Sequence, residues 1–343
     1  MLNIYSLEQA DKWDAIVRSF LNYDIYWLSS YAKTLQVNGD GDPILFFYDD
    51  GNTRGINVSM KRDIANVSRF SDLLEKEKYY DLCTPYGYGG WIIEGENIEV
   101  LFRTYDEWLK DNSIISEFVR FHPVIKNHED CNAFYEIDKR GEVVCMDLSS
   151  KDVIWNNLTS ENRNRIRKAE KNGVHVYDGN SPEIYDLFQK IYNATMKRNN
   201  AADYYFFEKD FYQSILNDLV PNSRVFWAEK DEKVIAASIM IYANGHMNFH
   251  LGGSLEEYNC FATNNLIMYS GAVWGCENGY KTLLLGGGVG SKDDTLLRYK
   301  KTFCKEGTSH FYTGKKIIDR EKYDYLTGLR KIEKSEFFPK YRA

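Results

Sequence analysis

Apolar and polar positions along this chain recur with two periods, and the order in which the periods occur is given twice. Alternation at every second residue marks strands, and recurrence at three and four residues marks helices. In the second half a short strand is predicted at residues 174–177, just after Gly173, followed by helices over 182–198 and 208–219. Three strands come next, at 224–229, 234–242 and 246–251. A helix over 262–278 stops at Gly279. A strand at 282–285, a helix over 294–303 and a strand at 309–317 complete the unit. The first half follows the same order. A strand is predicted at 2–5, two helical stretches lie within 7–35, strands fall at 43–48, 53–61 and 79–84, a helix at 96–110 and a strand at 114–121. No clear counterpart of the last helix follows, but 134–137 and 142–146 supply terminal strands. An element order repeated at half the chain length predicts two α+β units, each built on a mixed sheet. The run Asp147-Leu-Ser-Ser-Lys-Asp152 reads as a loop followed by a helix start, so the expected division is 1–148 and 149–343.

Composition narrows the class. The 343 residues suffice for two cores, and 43% hydrophobic with 27% charged residues is ordinary for a globular protein. Aromatic residues reach 15%, mostly the 26 Tyr and 19 Phe, and tyrosine suits a groove for a sugar or a peptide. The net charge of −7 argues against broad nucleic-acid binding, while leaving room for a local basic patch. The six cysteines show no C-x-x-C spacing and no Cys/His metal pattern, so reduced thiols and no metal are expected. The longest apolar run, 234–243, is about half of what a membrane span needs, and no charged-then-apolar leader pattern is present. A cytoplasmic location is expected.

Candidate chemistry gathers at strand ends. Asp81-Leu-Cys-Thr-Pro-Tyr-Gly-Tyr-Gly-Gly90 and Phe249-His-Leu-Gly-Gly-Ser254 occupy equivalent places in the repeat, and glycine there lets a ligand or backbone approach closely. Tyr86 and Tyr88 interleave with the glycines of the first. Leu285-Gly-Gly-Gly-Val-Gly290 follows a strand, so Gly286, Gly287 and Gly288 form a turn whose N–H groups can face an anion, although it is neither a P-loop nor G-x-G-x-x-G. On the next helix Leu296, Tyr299 and Phe303 share one face and are expected in the core. Lys300 lies beside that face, where its ammonium can be aimed at the site, although by base rate a lysine is solvated. Thr263, Asn264 and Asn265 supply capping types at a helix start. Arg163, Arg167 and Lys171 form a stripe that reads as a solvated face or as a phosphate contact. Arg198, followed by Tyr204 and Tyr205, can grip a phosphate. His250 and His122 stand at strand ends, where a general base is useful.

The residues now carry a resemblance. Thr84-Pro-Tyr-Gly-Tyr-Gly-Gly90, Val119-Arg-Phe-His-Pro123, Arg163-Asn-Arg-Ile-Arg-Lys-Ala-Glu-Lys-Asn-Gly-Val174, Thr195-Met-Lys-Arg198, and Gly286-Gly-Gly with Tyr299-Lys-Lys-Thr-Phe303 resemble the FemABX peptidyltransferases. They equally resemble acetyltransferases of the GNAT superfamily found in envelope-polysaccharide loci. The resemblance spans nearly the whole chain and implies a tandem pair of GNAT-like units. It implies that Tyr299 and Lys300 take part in acyl transfer and that Arg198 binds acceptor phosphate. Two family features are absent, the long helical hairpin and the Gln/Arg-x-x-Gly-x-Gly/Ala loop for CoA, in whose place stands Phe261-Ala-Thr-Asn-Asn265. The implied activity is N-acyl transfer to an amine of a cell-envelope sugar or peptide precursor, soluble or lipid-linked. Lys300, Tyr299 and His250 would act on the reacting groups. Tyr86, Tyr88, Arg198, Tyr205 and Arg163 would bind the acceptor, and Gly286, Gly287, Gly288 and Asn264 the donor. The acidic charge and the missing hairpin tilt the donor toward acyl-CoA (acetyl-CoA) over aminoacyl-tRNA. A noncatalytic glycan or nucleotide-sugar binder is the competing class.

Overall fold

The computed structural model describes residues 1–330 and 335–343. Along the chain the elements are β1 (Leu2–Tyr5), α1 (Ala10–Arg18), α2 (Ser29–Val37), β2 (Asp42–Asp49), β3 (Arg54–Asp63), β4 (Tyr80–Cys83), β5 (Ile92–Glu94), α3 (Ile98–Asp111), β6 (Ile114–Arg120) and β7 (Glu136–Asp147). They continue with α4 (Lys151–Asn157), α5 (Ser160–Lys171), β8 (His175–Gly179), α6 (Pro182–Arg198), α7 (Lys209–Asp218), β9 (Ser223–Lys230), β10 (Lys233–Ala243) and β11 (His246–Ser254). The last are α8 (Thr263–Glu277), β12 (Thr282–Gly286), α9 (Thr295–Lys301), β13 (Thr308–Ile317) and α10 (Arg320–Leu329). The two strands predicted at 134–137 and 142–146 are one strand, β7. Neither β5 nor α10 has a counterpart in the sequence reading.

Two compact units result: Met1–Arg140 with Phe311–Ala343, and Gly141–His310. The division therefore falls at 140/141 and 310/311, not at 148/149, and the chain returns to its first unit at Phe311. The reason is strand pairing. Residues Thr313–Ile317 of β13 complete the first unit's sheet by pairing antiparallel with Arg120–Ser116 of β6. In the second unit the C-terminal part of β7 takes the same place, Met146 opposite Leu283 and Cys145 opposite Leu284 of β12.

The strands of each unit pair in the same sequence. In the first, β1, β2, β3 and β4 are antiparallel neighbours, β4 and β6 are parallel, and β6 and β13 are antiparallel. In the second, β8, β9, β10 and β11 are antiparallel, β11 and β12 are parallel, and β12 and β7 are antiparallel. The short β5 adds to β3 in the first sheet. A parallel pair needs a crossover, and α3 and α8 provide it.

The apolar stripe of α3, with Leu101, Phe102, Tyr105 and Leu109 buried, covers the first sheet and meets Phe46, Trp91 and Phe121. In the second unit α5 and α8 close a core that holds Ile166, Phe226, Met240, Met247, Leu266, Ile267 and Leu297. Gly271 and Gly275 let α8 approach closely, because a Cβ at either would stand 2.3 Å from a methionine side-chain atom, of Met240 and Met247 respectively.

Candidate active site

The parallel pair of the second unit opens at one end. The β11–β12 ladder runs from His246 and Thr282 to Asn248 and Leu284 and stops there, although β11 continues to Ser254 and β12 to Gly286. At this point β11 also carries a bulge against β10. Ile239 faces Leu251 and Met240 faces Phe249, which leaves His250 as the extra residue. The candidate residues of this unit lie along these two strand ends and the helices that follow them.

The Gly-rich turn is shaped by close contacts. Gly286 has φ +75°, a left-handed conformation that favours glycine. A Cβ on Gly287 would stand 2.6 Å from the carbonyl oxygen of Glu142, and one on Gly288 2.3 Å from that of Lys292. Asp294 ties the turn to α9. One carboxylate oxygen accepts the Leu297 N–H at the helix start, and the other accepts the Val289 N–H, both at 2.8 Å.

Of the face predicted for α9, Phe303 is buried and Tyr299 packs against the core, but Leu297 takes the place expected for Leu296. Leu297 and Lys300 are buried, whereas Leu296 is exposed. Lys300 is thus not the solvated lysine that base rate favours. It is 8% exposed, and its Nζ donates to the Gly287 carbonyl oxygen at 2.7 Å. Burial pushes its pKa down to about 8, against the opposing pull of Asp294. Lys301 turns aside and bonds Glu142 at 2.6 Å. Tyr299 packs edge-on against Phe303, and its hydroxyl is buried without a hydrogen-bond partner among the described residues. Burial raises its pKa far above the usual value, so it stays a neutral donor.

His250 keeps some exposed surface, but its Nε2 is buried, and burial drives its pKa down to about 4. The imidazole is neutral at physiological pH and a weak proton acceptor. Its ring lies 6.4 Å from that of Phe211.

Ser254, at the end of β11, gathers another group. Its carbonyl accepts from Arg198 Nη1 and Thr195 Oγ1, both at 3.1 Å, its N–H donates to Thr195 Oγ1 at 3.0 Å, and its hydroxyl accepts from Asn264 Nδ2 at 3.3 Å. The Thr-x-x-Arg segment of α6 therefore clamps the strand end. The expected side-chain cap of α8 is not formed there. Its cap position is Ala262, in left-handed conformation (φ +56°), while Thr263 and Asn265 are buried. Tyr205 is half-buried, its ring 5.5 Å from that of Tyr204.

Arg163 caps α4: its Nη1 donates to the Leu158 carbonyl at 2.6 Å. The basic stripe is divided accordingly, since Arg167 lies over the Trp155 ring. In the first unit, Tyr88 packs against Tyr26, His122 and Phe311, and the Tyr86 carbonyl accepts the Tyr31 hydroxyl at 2.6 Å. His122 is buried: Nε2 lies 3.0 Å from Asp24, and Nδ1 accepts the Ile125 N–H at 3.1 Å, a pairing that gives it a structural role.

Sequence reasoning missed Asn162, Thr302, Asp294 and Glu142. Asp294 alone carried a signal, as a capping type three residues before a helical leucine. The others acquire their defining side-chain partners through distant contacts, Asn162 with Thr302 and Asn265, and Glu142 with Lys301. The six cysteines are free thiols. No described helix is long and apolar enough to cross a membrane.

A model of the family described as "Acetyltransferase (GNAT) domain" matches residues 159–301, inside the second unit. The UDP-N-acetylmuramoylpentapeptide-lysine N(6)-alanyltransferase of Weissella viridescens is 21% identical over 301 residues, covering 80% of this chain and 88% of its own. Among solved structures, FemX superposes with a TM-score of 0.71 at 14% identity, over 95% of this chain and 99% of that one. L-PGS from Bacillus licheniformis gives 0.56 at 14% identity, over 95% and 97%. Through the domain match and the alanyltransferase relative in sequence, and through FemX in fold, the chain resembles the acyltransferases of the FemABX/GNAT superfamily.

Proposed function

We propose that the chain transfers an aminoacyl group, carried as an ester on tRNA, to an amino group of a cell-envelope peptide precursor. One observation carries this reading: a buried lysine ammonium held at a Gly-rich turn, within the segment that matches the GNAT domain. The acceptor amine attacks the ester carbonyl, and negative charge builds on the carbonyl oxygen. Lys300 accounts for one of its three N–H donors at Gly287 and offers the rest of its charge to that oxygen, which is how acyl-transfer barriers are lowered. The adduct collapses by expelling the ribose oxygen, which takes up the proton leaving the amine. A neutral His250 with a pKa of about 4 contributes little as a base, so the leaving oxygen is assigned that proton. Tyr299 orients the reacting carbonyl, Arg198 is assigned to acceptor phosphate, and Tyr86 and Tyr88 to acceptor recognition. The alanyltransferase relative supports the aminoacyl donor.

Acetyl transfer from acyl-CoA is the second reading, supported by the description of the matching domain. The test supplies radiolabelled alanyl-tRNA or acetyl-CoA together with a lysine-containing UDP-N-acetylmuramoyl pentapeptide. Label on the lysine amine from alanyl-tRNA, lost in Lys300→Met, is the expected result. Transfer from acetyl-CoA alone overturns the donor assignment, and transfer undiminished in Lys300→Met overturns the site.

A further inference from the structure

A chain of hydrogen bonds runs through the interior of the second unit without touching the Gly-rich turn. Asn162, in the first turn of α5, is 0% exposed, and Asn265, in the first turn of α8, is 3% exposed. Asn162 Oδ1 accepts from Asn265 Nδ2 at 2.9 Å, and its Nδ2 donates to Thr302 Oγ1 at 3.0 Å. The Thr302 hydroxyl donates in turn to the carbonyl oxygen of Tyr299 at 2.6 Å. The backbone doubles this link, because the Thr159 N–H donates to the Thr302 carbonyl at 2.9 Å. Thr159 is also the cap of α5, its Oγ1 accepting the Asn162 N–H at 3.2 Å. One amide side chain thus joins α5, α8 and the last turn of α9, the turn that carries Tyr299 and Lys300.

An apolar residue of similar size would fill this space with no demand on direction. A buried amide must satisfy both ends together, because a buried donor or acceptor left open is costly. The pair of bonds therefore fixes where the end of α9 stands relative to α8. That matters for a helix of only seven residues, which has little stability of its own.

We infer that Asn162 is a positioning residue for acyl transfer: by fixing the last turn of α9 through Thr302, it holds the Lys300 ammonium in place at Gly287. The inference rests on the reading of Lys300 as the cation of the reaction. If α9 rocks, Lys300 gains water, and its pKa climbs from about 8 toward the ordinary lysine value.

The test compares wild type, Lys300→Met, Asn162→Ala and Thr302→Val in the full chain, with the donor and acceptor that pass the transfer assay. Turnover, KM, the pH dependence of turnover and melting temperature are measured. In Asn162→Ala and Thr302→Val, kcat is expected to fall roughly tenfold to hundredfold, as a small misplacement of a catalytic group does. KM should stay within about twofold, since substrate binding is not the link removed. The basic limb of the profile, near pH 8 in wild type, should move upward. A variant combining Asn162→Ala with Thr302→Val should be no slower than the slower single one, because both substitutions break one link. A lowered melting temperature with unchanged kcat and an unmoved basic limb assigns Asn162 to packing alone and overturns the inference. Thr302→Val, which keeps the side-chain shape, carries the test if Asn162→Ala does not fold. Full turnover in Lys300→Met is a separate outcome: it removes the cation reading and this inference with it.

Discussion

The Lys300 ammonium donates a 2.7 Å hydrogen bond to the carbonyl oxygen of Gly287, thirteen residues earlier in the chain. The turn that offers its backbone at the end of β12 and the helix that follows are thereby closed on each other through a charged group. Burial of that charge disfavours the protonated form, and the single carbonyl contact restores only part of what water would give.

Lys300→Met is expected to lose turnover by roughly a hundredfold or more, the effect of removing one positioned oxyanion donor. It is also expected to be more stable than wild type near pH 7. The folded pKa of about 8 lies below the ordinary value of 10.5. Below pH 8 the native state bears the full cost of a buried cation, up to about 3 kcal/mol. As pH rises from 8 to 10.5, the unfolded chain holds this proton more than the folded chain does, and wild type gains stability. Melting curves of both proteins should therefore converge toward pH 10.5. A variant less stable than wild type at pH 7 contradicts the burial argument.

Tyr299→Phe removes a buried hydroxyl with no hydrogen-bond partner among the described residues. The free protein should gain about 1 kcal/mol, because an unsatisfied polar group is taken out of the interior. Turnover should fall by roughly tenfold if the hydroxyl orients the substrate carbonyl. Urea unfolding and initial rates on the same preparation read the two effects, and full turnover retires Tyr299 from the site.

Gly287→Ala sets a Cβ 2.6 Å from the Glu142 carbonyl oxygen. The turn must shift away from β7 and carry the Lys300 acceptor with it. A loss of about 1–3 kcal/mol, as for overpacking, and at least tenfold lower turnover are expected. Gly290→Ala is the control. Its φ is +60° with open space around the new methyl, so it should cost only about 1 kcal/mol of backbone strain and keep its rate. Equal rate losses in the two variants would falsify the contact argument.

His250 should make the protein acid-sensitive. Its folded pKa of about 4 lies below the ordinary 6.5, so the unfolded chain binds a proton first as pH falls. The stability of the buried neutral ring is present above pH 6.5 and lost progressively between 6.5 and 4, by up to about 3 kcal/mol. In His250→Leu the drop in urea midpoint from pH 7 to pH 4 should be smaller than in wild type. An identical drop means the ring takes up its proton within the fold.

In the first unit Asp81 is 0% exposed and accepts from Arg62 Nε at 2.7 Å, Arg342 Nε at 2.5 Å and the Tyr341 hydroxyl at 3.1 Å. Burial pushes its carboxyl up, and the two guanidiniums outweigh this, so its pKa lies below the usual range. Asp81→Ala leaves two cations uncompensated and should cost about 3–5 kcal/mol. Arg62→Met together with Asp81→Leu should recover part of that loss. No loss in the single variant means that water already compensates the guanidiniums.

The sequence by itself determined most of the elements and their repeated order. The predicted helix at 182–198 matches α6, and the predicted strands 2–5 and 309–317 match β1 and β13 to within a residue. These are local properties: period two or 3.6, a capping Ser181 before Pro182, a glycine past a helix end. The Gly-rich turn and the tyrosine–lysine pair after it were legible for the same reason. What only the tertiary structure decided depends on partners far along the chain. Nothing within residues 309–317 says that Thr313 will face Arg120 and return the chain to its first unit. On α9, Tyr299 and Phe303 reach the core as expected but Leu296 does not, because Leu296 and Leu297 are equally apolar and only the packed core selects one. Lys300 and Lys301 are the same side chain in sequence. One is buried on the Gly287 carbonyl with a lowered pKa, and the other is paired with Glu142, because burial and charge neighbours, which set a lysine's chemistry, belong to the folded chain.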